Sequence, residues 1–204
     1  PPFNFPLYLA MRAVAPALAL GNAVVLKPDP RTAVCGGVVI ARLFELAGLP
    51  AGVLQMLPGD GQAGAALTAD AHVAAIQFTG STAAGRHVGQ ACGKHLKKVS
   101  LELGGKNALL ILDDADLELA VNNAVWGTFL HQGQICMATG RILVQRRLHD
   151  AFVERLLAKV ASLRAGDPWA NPEVLVGPLI NAGQRDHCHR IVQAAIAAGA
   201  QLAV

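Results

Sequence analysis

Apolar positions along this chain fall into two alternating patterns. Short, mostly apolar runs at residues 23–26, 53–57, 74–78, 98–103, 107–112 and 141–145 are too compact for an amphipathic period and predict buried strands. Between them lie stretches with helical spacing, at 7–20, 32–47, 62–68, 83–92, 116–130, 149–163 and 181–198. The punctuation agrees. Gly21 stops the first helix, and Gly48 with Pro50 just beyond it stops the second. Asp113, Asp114 and Asp116 place negative charge where a following helix dipole favours it. Residues 167–178 carry prolines and no period, and predict an irregular loop. Strands of this kind alternating with helices predict an α/β fold whose parallel sheet is covered on both faces. The glycine pair Gly104-Gly105 is the candidate boundary between two α/β lobes, 1–103 and 104–204.

Composition narrows the classes. With 53% hydrophobic and 15% charged residues the chain is too apolar for a disordered segment. The net charge of +3 is small, and the densest basic cluster, His95-Leu96-Lys97-Lys98, is no nucleic-acid footprint. The longest uncharged stretch, residues 13–26, is broken by Pro16, Gly21 and Asn22. Crossing a membrane takes roughly 20 apolar residues, so this stretch predicts buried core and no membrane partner. No export signal is visible. Four widely spaced cysteines without a CxxC suit a reducing, cytoplasmic setting. The opening Pro1-Pro2, without an initiator methionine, and the ending in an alanine-rich helical run suggest a fragment.

Candidate chemistry centres on residues 101–138. Glu102 and Cys136 stand thirty-four positions apart, with a strand and a helix between them. Folding that brings a carboxylate to a thiol makes a base and a nucleophile. Cys136 lies in a helix-to-strand turn with Gly133 and Gly140 on either side, which implies a crowded loop. Local N–H dipoles there would favour a thiolate. Glu102 sits at a strand end, before glycines that allow close backbone approach; the plainer reading is a cap or ion pair. Asn4, between two phenylalanines and prolines, is a candidate oxyanion donor. Lys27 lies at the carboxyl end of a strand, where open α/β sheets take ligands, or is simply a solvated lysine. The turn Phe78-Thr79-Gly80-Ser81 opens a helix, either as an anion site or as an ordinary N-cap. His187-Cys188-His189 mimics a metal site, but positions two apart on a helix face different ways, and no metal is expected. His131 beside Cys136 invites a Cys–His hydrolase, against the plainer reading of a helix-end histidine on the local dipole.

Taken together, Phe3-Asn4-Phe5-Pro6, Lys27-Pro28, Phe78-Thr79-Gly80-Ser81, Glu102-Leu103-Gly104-Gly105-Lys106 and Gly133-Gln134-Ile135-Cys136 resemble the aldehyde dehydrogenase superfamily in order and spacing, over essentially the whole chain. The wording around Lys27 and Cys136 is most similar to the benzaldehyde and vanillin dehydrogenase branch. The resemblance implies a partial, Rossmann-like NAD(P)-binding lobe followed by a partial catalytic lobe. It implies that Cys136 attacks an aldehyde, aromatic in this branch, with the oxyanion held by Asn4 and the Cys136 N–H. Glu102, a better base if buried, would activate the water that hydrolyses the thioester. Lys27, Phe78, Gly80, Ser81 and Gly104 would contact NAD or NADP, and the whole protein would be a homo-oligomer. Pro30 stands where NAD-preferring members often carry a glutamate, which leaves the nucleotide open. A nucleotide-free Cys136/Glu102 hydrolase and a non-catalytic relative are the alternatives.

Overall fold

The computed structural model describes residues 1–203. It divides between the two glycines of the pair, into units Pro1–Gly104 and Gly105–Val204. The first contains α1 (Pro6–Ala19), β1 (Val24–Leu26), α2 (Val39–Leu46), β2 (Leu54–Met56), α3 (Gly61–Ala69), β3 (Ala75–Gly80), α4 (Thr82–Lys94) and β4 (Lys98–Leu103). The second contains β5 (Asn107–Ile111), α5 (Leu117–Phe129), β6 (Thr139–Val144), α6 (Arg146–Ala161) and α7 (Ala182–Ala197).

Each strand–helix–strand passage closes into a parallel pair: β1 with β2, β3 with β4, β5 with β6. The parallel pairing agrees with the sequence pattern, but the pairs do not join into one sheet among the described residues. Nor are both faces covered. On β5 and β6, Leu109, Ile111, Ile142 and Val144 pack with Val121, Ala124 and Phe152 from α5 and α6. The opposite face leaves Leu110 and Leu143, register partners, 65% and 51% exposed. Strand β4 is exposed at every position except Leu103. Apolar residues therefore alternate onto a face that this chain does not cover.

In the first unit the core is built by Ala10 and Val14 of α1, Leu26 of β1 and Ile40 of α2. The stretch predicted as one helix over 32–47 enters through a 3-10 turn, Pro30–Thr32, and a π-turn, Val34–Val38, before α2 begins. Gly36 and Gly37 at the centre of the π-turn are buried. A Cβ on Gly37 would stand 2.8 Å from Cγ of Pro28, so the wide turn lets backbone settle directly on that buried proline.

Candidate active site

The first unit carries Asn4, Lys27, Phe78, Gly80, Ser81, Glu102 and Gly104; the second carries Cys136. Asn4 precedes α1 and is half-buried. Its neighbour Phe5 caps the helix at φ 46° and ψ 50°, a left-handed conformation that costs about 1–3 kcal/mol outside glycine. Pro6 opens the helix, where a missing N–H does no harm.

Lys27 follows β1. Its stem runs along α3, with Cδ 3.7 Å from where a Cβ on Gly64 would lie, and its Nζ donates to the Pro28 carbonyl at 3.0 Å. Strands β3 and β4 run in register, Thr79 beside Glu102 and Gly80 beside Leu103. The Gly80-Ser81 turn and Glu102 thus share the carboxyl end of one parallel pair. Ser81 is an N-cap: its Oγ accepts from the Ala84 N–H at 3.2 Å and its carbonyl from Gly85 at 2.9 Å. That capping leaves the first-turn N–H groups of Thr82 and Ala83 facing out of the helix. The Phe78 ring lies directly over Gly80, with Cζ 2.6 Å from where an added Cβ would stand.

One expectation about Glu102 changes. Its carboxylate is not buried but 48% exposed, paired at 3.8 Å with Nη2 of Arg12 on α1. An exposed pair of this length is worth about 0–1 kcal/mol. At Gly104 the backbone stands open, with nothing within 4 Å of where a Cβ would lie. Arg12 was not singled out in the sequence. It lies eight residues after Asn4, so α1 links the candidate oxyanion donor to the candidate base.

The Cys136 loop is shaped as its glycines suggest. After α5 the chain makes a short 3-10 turn in which His131, Gln132 and Gly133 are all left-handed, at φ 52°, 58° and 69°. A Cβ on Gly133 would stand 3.1 Å from the Thr128 carbonyl. His131 therefore lies beyond the regular helix end, in the kink itself. Gln132, with its amide oxygen toward Gly177, accepts from that residue's N–H at 3.0 Å and donates to the His131 carbonyl at 3.0 Å. Gln134 accepts from the Ile180 N–H at 3.0 Å. Cys136 itself is a free, exposed thiol. The residue that holds it was missed by sequence reasoning: Asn107, at the start of β5, donates to the carbonyls of Cys136 at 2.9 Å and Ala138 at 3.1 Å. The available signal was its place at a strand start directly after the Gly-Gly-Lys run. Lys106 lies across Gly140, with Cδ 2.6 Å from a Cβ position there.

The aldehyde dehydrogenase family profile matches residues 1–204. The chain belongs to that family. It is 61% identical over 202 residues to a vanillin dehydrogenase of Amycolatopsis sp., covering 99% of this chain and 41% of the relative. It is 55% identical to a benzaldehyde dehydrogenase [NAD(+)] of Pseudomonas putida, covering 98% of this chain and 41% of that one. Among solved structures, an NAD-dependent benzaldehyde dehydrogenase from Corynebacterium glutamicum superposes with a TM-score of 0.92 at 46% identity, over 100% of this chain and 44% of that one. A lactaldehyde dehydrogenase from Escherichia coli gives 0.95 at 37%, over 98% and 42%. This aldehyde dehydrogenase chain thus spans about two-fifths of the length of the curated relatives it matches, and its fold is part of the family fold. No helix among the described residues is long and apolar enough to cross a membrane.

Proposed function

We propose that the whole protein oxidises an aldehyde, aromatic by analogy with its vanillin and benzaldehyde dehydrogenase relatives, to the carboxylic acid with a nicotinamide nucleotide. The observation that carries this reading is the Cys136 loop: an exposed free thiol on a kinked turn whose carbonyl is tied down by Asn107. The Cys136 thiolate forms a C–S bond to the carbonyl carbon, and the new oxyanion is met by the Asn4 amide and the Cys136 N–H. The nucleotide supplies an acceptor for the hydride released from that carbon. Glu102 then takes a proton from water as it attacks the resulting thioester, and the C–S bond breaks to return the thiolate.

The nucleotide-facing residues suit their role. Lys27 presents an ammonium at a strand end, and the start of α4 beside Gly80 and Ser81 offers outward N–H groups for a pyrophosphate. Phe78 lies two residues before the end of β3, and Gly104 directly follows β4. NAD is favoured over NADP. Arg31, the cation next to Pro30, is held in a two-pronged bond by Asp29 at 2.8 and 2.7 Å and is neutralised toward a 2′-phosphate. The free cysteines support a reducing, cytoplasmic setting. Homo-oligomer formation follows from the family resemblance alone.

The test uses the full-length protein. Cys136→Ser is expected to lower aldehyde oxidation by at least about 10³-fold; near-normal oxidation would sink the nucleophile assignment. Glu102→Gln is expected to keep the first-turnover release of reduced nucleotide while slowing acid release about 10²-fold. Unchanged acid release removes Glu102 from the role of base.

A further inference from the structure

We propose that the Asp29–Arg31 pair is a positioning brace for Asn4, which joins the oxyanion donor to the strand end bearing Lys27. The inference rests on the reading of Asn4 as that donor. The segment around Asn4 needs holding from outside. Its carboxamide makes no hydrogen bond with any described residue, and the next residue, Phe5, is held left-handed at φ 46°. An unbonded side chain beside a strained backbone has no local reason to keep one direction.

Residues 29–38 hold it at two points. The Arg31 guanidinium lies over the Phe3 ring, 4.6 Å from its centroid. Arg31 is itself fixed by Asp29, with Nε to Oδ1 at 2.8 Å, Nη2 to Oδ2 at 2.7 Å, and its own N–H to Oδ1 at 2.9 Å. On the other side of Asn4, Pro6 packs on the backbone of Gly36, where an added Cβ would stand 3.0 Å from the Pro6 Cβ. The π-turn that presents Gly36 also seats Gly37 on the buried Pro28, next to Lys27. One segment therefore grips Phe3 and Pro6, which bracket Asn4-Phe5, while rooted beside the candidate cofactor lysine. A guanidinium fork stacked on an aromatic ring fixes direction in a way that a lysine point charge does not.

A brace of this kind acts only through the Asn4 amide, which a double-mutant cycle in the full-length enzyme can isolate. Single-turnover release of reduced nucleotide is measured for wild type, Asn4→Ala, Arg31→Met and the double variant. Arg31→Met is expected to slow that step about tenfold when Asn4 is present and less than about twofold when it is absent. Arg31→Lys is expected to recover part of the loss. Phe3→Leu removes the ring while leaving the ion pair, and is expected to show a smaller loss with the same dependence on Asn4. It decides the matter if Arg31→Met does not fold. Equal losses with and without Asn4 would overturn the brace, because they describe a purely structural role. If Asn4→Ala alone leaves the step unchanged, the oxyanion reading itself fails and the brace goes with it.

Discussion

Asn107 commits its whole carboxamide donor to two carbonyls of the nucleophile loop, at 2.9 and 3.1 Å. Each such bond is worth about 0.5–1.5 kcal/mol, enough to decide which way an exposed loop points. Asn107→Ala in the full-length protein is therefore expected to slow thiol acylation about tenfold while leaving nucleotide affinity unchanged; rapid-mixing kinetics and a binding titration separate the two. Asp29 sets a second residue-scale expectation. The side-chain hydrogen bond from Arg31, partly opposed by burial, holds its carboxyl below the ordinary 3.8. A carboxyl lowered on folding stabilises the fold above its unfolded value, and that contribution fades as pH falls through the folded value. Arg31 is partly solvated, so the screened contribution is at most about 1 kcal/mol. Urea midpoints of wild type and Asp29→Asn are expected to differ at pH 5 and to converge below pH 3.8. The partner of Asp29 lies two positions along the chain, within reach of sequence reading, whereas the carbonyls that Asn107 reaches lie 29 and 31 positions away and are not.

At the scale of elements, glycines separate what pattern shows from what packing adds. The turn after β3 reads in the sequence as either an anion site or an N-cap, and in the structure Ser81 performs the capping. Gly85 has a different purpose: helix α4 lies so close to β4 that a Cβ there would collide with the Leu103 side chain. Replacing a mid-helix glycine with alanine gains about 1 kcal/mol of helix propensity. Overpacking against Leu103 costs about 1–3 kcal/mol. The second effect wins, and Gly85→Ala is expected to lower stability by about 1 kcal/mol in denaturant titration. The 3-10 turn and π-turn ahead of α2 were invisible to periodicity. A π-turn leaves no distinct mark in apolar spacing, and the contact of Gly37 with Pro28 that it permits exists only in three dimensions.

At the scale of the molecule, exposed surface exceeds what the chain's own packing explains. The accessible area is 13444 Å². Two separate compact units of half the mass would expose only about 11,000 Å² in total. Large apolar side chains are among the exposed residues, including Leu110 and Leu143 on the uncovered side of the β5–β6 pair and Leu112 just beyond β5. Residues 1–204 expressed alone are thus expected to bind a hydrophobic dye and to aggregate without a fixed size, while the full-length protein binds little dye and elutes as one discrete oligomer; dye fluorescence and size-exclusion chromatography check this. By itself the amino-acid order determined the alternation of strands and helices, the parallel pairing and the family, because each is written in local spacing and short motifs. Tertiary structure alone decided that Glu102 stands exposed beside Arg12, that Asn107 ties the Cys136 loop, and that Arg31 lies across Phe3. These depend on where distant backbone segments converge, and residue spacing carries no record of that convergence.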